Sequence, residues 1–158
     1  MRKQANSENC FVCGIANPLG LNLAFYEHPD GSVRSNLTIR SEFQGWPGVA
    51  HGGIIATLLD EVTARVYMND STENKLMMTG KLEIRYRKPV PVGEPIEIVG
   101  MPGELNGRIA TARGELRDAN GNVLAEALST LVQASDTVVN KMNLDTRKWV
   151  MIPDKEEK

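Results

Sequence analysis

From Gly52 to about residue 68, the apolar residues Ile54, Ile55, Leu58, Leu59, Val62 and Val66 recur at three- and four-residue spacing. This period predicts one helix with a single broad buried stripe. A helix of ~17 residues is about 25 Å long at 1.5 Å per residue. A strongly curved antiparallel sheet can wrap a rod of that length and bury one face of it. The flanking sequence supplies such a sheet. Residues 76–87, 94–105 with 108–117, and 123–133 read as long strands. Their separators are Pro89-Val90-Pro91-Val92-Gly93, the hairpin dipeptide Asn106-Gly107 and the turn Asp118-Ala119-Asn120-Gly121. Ahead of the helix, Leu21, Leu23 and Phe25 alternate with Asn22, Ala24 and Tyr26, and His28-Pro29-Asp30-Gly31 turns the chain into a strand at 33–40. Residues 41–50, with Gly45, Trp46, Pro47 and Gly48, read as a loop, and 69–74 as the polar turn that ends the helix. Two strands, one long helix and four strands in succession give the α+β class.

The 158 residues suit one domain. Residues 1–20 are expected to form an N-terminal loop segment, 21–135 the domain itself and 136–158 a C-terminal tail. The tail is polar apart from Val138, Val139, Met142, Leu144 and the cluster Trp149-Val150-Met151-Ile152, and it is expected to dock on the domain or on a partner chain. Asp154-Lys155-Glu156-Glu157-Lys158 reads as a disordered end. A net charge of -2 with scattered Lys and Arg leaves no electrostatic footprint for nucleic acid. No apolar run approaches the ~18–20 residues that span a bilayer, and the first residues lack a signal-peptide core. The expected location is therefore the cytoplasm, without a membrane partner.

Cys10 and Cys13, followed by Gly14, are the two cysteines. One reading is half of a zinc site or a redox pair, because C-x-x-C spacing lets two sulfurs share a metal or a disulfide. That ligand set is incomplete: there is no second C-x-x-C, His28 and His51 are distant in sequence, and completion needs a partner chain or a carboxylate. The other reading, which is preferred, is an ordered loop whose sulfur side chains pack on the domain. No metal and no other cofactor is expected.

His51-Gly52-Gly53 stands at the predicted helix start. The first backbone N–H groups of a helix have no internal partner and lie at the positive end of the dipole, so such a start suits an oxyanion. Glycine there lets a carbonyl oxygen approach the backbone closely; alternatively, the pair only permits a tight junction. Asp60 lies inside the same helix among Leu58, Leu59 and Val62. At 100° per residue it falls beside Ala56 and Thr63 on one border of the apolar stripe, the border that includes Gly52. Glu61 falls on the other beside Arg65, where an i,i+4 ion pair on the helix surface is expected. A carboxylate that loses water against apolar surface becomes a better base or nucleophile, which suits attack on a thioester directly or through water. Eight residues at 1.5 Å put Gly52 and Asp60 about 12 Å apart along one helix, too far for one thioester. If both serve one reaction, the acid comes from a second, antiparallel helix across a two-fold dimer interface.

The segment 51–61, read together with Cys10-Phe11-Val12-Cys13-Gly14, Asn17-Pro18, Gly20-Leu21 and Thr79 to Val92 with Tyr86, Lys88, Pro89 and Pro91, resembles the PaaI-like thioesterase-superfamily hotdog proteins. Within them it looks like the branch that includes the thioesterase superfamily member 4 group. The resemblance covers about residues 10–134. It implies a curved antiparallel sheet wrapped around a central helix, a homodimer assembled further as a dimer of dimers, and hydrolysis of acyl-CoA to a carboxylic acid and free CoA. On matching positions it implies Gly52 as the amide that polarises the thioester carbonyl, with Gly53 beside it, and Asp60 as the catalytic carboxylate. Thr79 would be a hydroxyl positioning the attacking water, and His51 would shape the turn and hydrogen-bond near the thioester. Some relatives carry Asn or Gln six residues before the histidine; here that position is Gly45, with Gln44 adjacent. Since coenzyme A brings phosphates, Arg87-Lys88 and the segment Asn106-Gly107-Arg108 are the candidates to meet them. The alternatives are a hotdog enoyl-CoA hydratase or dehydratase, which requires a catalytic histidine, and a non-catalytic acyl-CoA-binding protein.

Overall fold

Helix α1 spans Gly52–Arg65, and a seven-stranded antiparallel sheet curls around it. The computed structural model describes residues 1–68 and 76–141 and the backbone of 149 and 150. In chain order the strands are β1 (Arg2–Lys3), β2 (Asn6–Ser7), β3 (Tyr26–Glu27), β4 (Val33–Thr38), β5 (Met77–Tyr86), β6 (Pro95–Asn106), β7 (Ile109–Asp118), β8 (Val123–Gln133) and β9 (Trp149–Val150). The large sheet has the order β1-β3-β4-β6-β7-β8-β5, and β2 pairs with β9 apart from it. The α+β hotdog arrangement is thus present, and the four strands after the helix lie where alternation and turn residues put them. Gly107 and Gly121 adopt φ of 60° and 81° in the turns on either side of β7, a backbone region that glycine enters at little cost.

The helix sits close to the sheet because small residues face it. Gly100 of β6 is opposite Gly114 of β7, which is opposite Ala127 of β8. A Cβ at Gly100 would stand 2.6 Å from the Val62 carbonyl oxygen, and one at Gly114 would stand 3.0 Å from Thr63 Cγ2. Around this contact Leu58, Leu59 and Val62 are buried with Ile96, Ile98, Leu116 and Leu131. Each such side chain contributes about 1.5–3 kcal/mol relative to exposure. Thr63 and Ser129 share a buried hydroxyl hydrogen bond of 2.7 Å between helix and sheet, which gives both hydroxyls a partner.

Three expectations require correction. Residues 21–25 alternate in burial as a strand would, yet only Tyr26–Glu27 join the ladder. Leu21 and Leu23 donate instead to the carbonyls of Phe11 and Val12, and the Phe25 carbonyl accepts from Gln4. Second, residues 1–20 are not merely loop: β1 extends the sheet edge through Arg2↔Glu27, and β2 pairs Asn6↔Val150 and Ser7↔Trp149. Residues 149 and 150 of the tail thus pair with the N-terminal segment, and a short helix α2 (Asp136–Lys141) precedes them in the chain. Third, α1 stops at Arg65 rather than near 68, with Tyr67 and Met68 donating three residues back to Ala64 and Arg65 in a tightened last turn. The expected turn at 69–74 and the disordered end at 154–158 lie outside the described residues.

Candidate active site

The loop before α1 is built to aim its first turn. After a 3-10 turn at Ser41–Phe43, Gln44 and Ala50 form a bridge, His51 N–H donates to the Phe43 carbonyl at 2.9 Å, and Val49 bridges to Pro91. Gly48, with φ of 78°, reverses the chain, and Gln44 Oε1 accepts its N–H at 3.1 Å, so the glutamine secures the loop. His51 is then the N-cap in extended conformation, and its Nδ1 accepts from Gly53 N–H at 2.9 Å. Its carbonyl accepts from Ile54 and Ile55. Of the donors in the first turn, Gly52 N–H is left without an acceptor among the described residues. Tyr86 seals the other side of Gly52: its hydroxyl donates to the Gly52 carbonyl at 3.0 Å, and its ring lies 3.7 Å from where a Cβ would be. Spacing along the chain gave no sign that Tyr86 would reach this turn.

Removing the cap has a defined outcome. His51→Ala deprives Gly53 N–H of its acceptor and should cost about 1 kcal/mol, read by chemical denaturation. Stability equal to wild type would show that the bond from Gly53 N–H to His51 contributes nothing to the helix start.

Asp60 is half-buried on α1, with no side-chain partner among the described residues. Thr79 is exposed on β5, opposite Leu131, next to a bulge at Gly80. Because Tyr86 touches Gly52, Thr79 lies seven residues back along β5, or about 23 Å at 3.3 Å per residue. One protomer therefore does not bring Gly52 together with Asp60 or Thr79. The latter two lie toward the opposite end of the helix–sheet unit from Gly52.

The matching family model, described as the thioesterase superfamily, spans residues 47–125, which hold the end of the loop, α1 and β5 to β7. The chain belongs to the thioesterase superfamily. Among its relatives is the mouse acyl-coenzyme A thioesterase THEM4, 28% identical over 107 residues that make up 67% of this chain and 45% of the mouse protein. The chain thus spans about half the length of the curated relatives it matches. Among solved structures, one thioesterase superfamily protein superposes with a TM-score of 0.73 at 34% identity, over 79% of this chain and 63% of its own. A Streptococcus mutans protein solved with acetyl-CoA bound superposes with a TM-score of 0.64 at 22% identity, over 72% and 90% of the two chains.

In this superfamily member the basic candidates separate into two groups. Arg87 and Lys88 follow Tyr86 and are exposed at the Gly52 end, where Arg87 is ion-paired with Glu126 at 2.6 Å. The Asn106-Gly107-Arg108 hairpin lies at the far end, with the Arg108 guanidinium donating to the Gln133 carbonyl at 2.9 Å. Leu124, which receives the Arg87 and Lys88 amides, and Gln133 are nine residues apart on β8, about 30 Å. A single protomer does not bring the groups together.

The Glu61–Arg65 ion pair exists at 2.7 Å, but it is not on the surface: Arg65 is 1% exposed. The N-terminal segment covers it. Its Nη1 donates to Gln4 Oε1 and to the Ala5 carbonyl, and the guanidinium lies 4.4 Å from the Phe25 ring centroid. Beside this pair Cys10 accepts from the Val12 and Cys13 amides. Hydrogen bonding from the Cys13 thiol, with those amides, draws the Cys10 thiol down to about 6, while the same contact and burial push Cys13 up.

Proposed function

We propose that the chain is an acyl-CoA thioesterase whose working unit is a homodimer. The observation that carries this reading is the free Gly52 amide at the α1 N-terminus, isolated by the His51 cap and the Tyr86 hydroxyl. A carbonyl oxygen seated there gains a hydrogen bond and the positive end of the helix dipole just where charge develops as the tetrahedral intermediate forms. Asp60 of the partner subunit takes a proton from water, and Thr79 of the same subunit orients it. The water oxygen bonds to the carbonyl carbon, the C–S bond breaks, and the proton passes to the departing thiolate, giving a carboxylic acid and free CoA. The alternative in which Asp60 attacks directly gives the same products through an anhydride. Arg87 and Lys88 at the Gly52 end meet phosphates of the CoA whose thioester sits on that glycine, and the Arg108 hairpin serves a CoA only where another subunit brings it near.

Support for this reading comes from the relatives: one is named an acyl-coenzyme A thioesterase and another was solved with acetyl-CoA. Catalysis by His51 as in a hydratase is disfavoured by its Nδ1 being engaged with Gly53 N–H. No helix among the described residues is long and apolar enough to cross a membrane. A thiol-release assay across short, medium, long and aromatic acyl-CoAs tests the proposal. Turnover with at least one class is expected, and a folded dimer that hydrolyses none of them but binds acyl-CoA would leave the non-catalytic binder in its place.

A further inference from the structure

The turn at Cys10-Phe11-Val12-Cys13-Gly14 meets α1 at Glu61, 51 residues away, where one sulfur from each cysteine and one Glu61 carboxylate oxygen all lie within 4.8 Å of one another. The turn is shaped around sulfur. Val12 N–H points at Cys10 Sγ at 3.3 Å, Cys13 N–H at the same atom at 3.5 Å, and Ser7 N–H at Cys13 Sγ at 3.5 Å. Gly14 closes it by donating to the Cys10 carbonyl at 2.8 Å, and a Cβ on Gly14 would stand 2.2 Å from that oxygen. Amides aimed at sulfur stabilise thiolates, the form in which cysteine ligates metals. Glu61 presents both oxygens usefully: Oε1 is held by Arg65 Nε at 2.7 Å, and Oε2 stands 3.9 Å from Cys10 Sγ. With Arg65 holding Oε1, the Oε2 atom is left facing the two sulfurs as a third ligand atom.

We propose that Cys10 Sγ, Cys13 Sγ and Glu61 Oε2 bind one divalent, thiophilic cation of the zinc class, with water as the fourth ligand. Two thiolates and a carboxylate suit a borderline-soft ion in tetrahedral geometry. Their three negative charges are balanced by the ion and by Arg65. Cys13 is fully buried, whereas the Glu61 side chain is 22% exposed, so the open side of the cluster admits the water. The ion fastens the N-terminal turn to α1 at the residue following Asp60. This clamp is independent of the proposed hydrolysis.

The test uses the whole chain, stripped with a chelator and kept reduced, and titrated with Co²⁺ and then Zn²⁺. One equivalent of Co²⁺ per chain should give thiolate-to-cobalt charge-transfer and tetrahedral d–d absorption, which Zn²⁺ displaces, and Zn²⁺ should raise the unfolding temperature. Cys10→Ser with Cys13→Ser should abolish the absorption, and Glu61→Gln should weaken binding at least about tenfold, since losing even a group that only orients a ligand costs about 10–100-fold. Absence of both the cobalt signal and the Zn²⁺ shift in the reduced wild type overturns the site, so the result does not depend on how the variants fold. Uptake by the double cysteine variant equal to wild type, or unchanged affinity in Glu61→Gln, also overturns it.

Discussion

Asp60→Asn should lose thioester hydrolysis while keeping its grip on acyl-CoA. The substitution preserves the shape of the side chain and removes its basicity. The Asp60 side chain is half-buried and has no side-chain hydrogen-bond partner among the described residues. A positioned general base contributes about 10²–10⁴-fold to a rate, so kcat should fall by about that factor, as read by thiol release. Affinity, measured by calorimetry with an acyl-CoA, should stay near the wild-type value. Turnover equal to wild type would remove Asp60 from the mechanism; loss of binding with loss of turnover would make it a binding group.

Arg65→Leu should be the most damaging single change to stability. Its guanidinium is buried between Glu61, Gln4, the Ala5 carbonyl and Phe25, and the Gln4 amide in turn donates to the Arg65 carbonyl. Leucine fills part of the volume, but it strands the Glu61 carboxylate and the Gln4 and Ala5 oxygens. Removing one member of a buried ion pair costs about 3–5 kcal/mol, which for a chain of this size lowers the unfolding temperature by roughly 10 °C. Nη2 of Arg65 is itself buried without a partner among the described residues, so the native state already bears the cost of one unsatisfied donor. Calorimetric melting decides the matter, and an unchanged midpoint would mean that the N-terminal segment does not depend on Arg65.

The same residue marks the limit of what periodicity reports. An i,i+4 spacing placed Glu61 and Arg65 together correctly, but the helix pattern has no knowledge of residues 4–5 folding over that face. Alternation at residues 21–25 likewise reported burial, and Leu23 and Phe25 are buried; it did not report which chain would take their backbone bonds. Strands of two residues such as β1 and β2 exist only through partners 23 or more residues away, so no local pattern marks them. By contrast β5 to β8 were legible because each is a long run bounded by turn residues. The site followed the same division. His51-Gly52-Gly53 and Asp60 were visible because helix starts and stripe borders are local properties, whereas Tyr86 on Gly52 and Glu61 beside Cys10 are contacts across the fold.

The proposed sharing of one active site between two subunits is tested most directly by pairing two differently damaged chains. Gly52→Val places a branched side chain where the carbonyl would approach, next to the Tyr86 ring, and Asp60→Asn removes the base. Each homodimer should be inactive. In a heterodimer isolated with two distinct tags, one site combines an intact Gly52 with an intact Asp60, while the other carries both lesions. About half of the wild-type turnover per heterodimer is expected, from one restored site in two; a well-folded heterodimer as inactive as its parents would contradict a site shared between subunits.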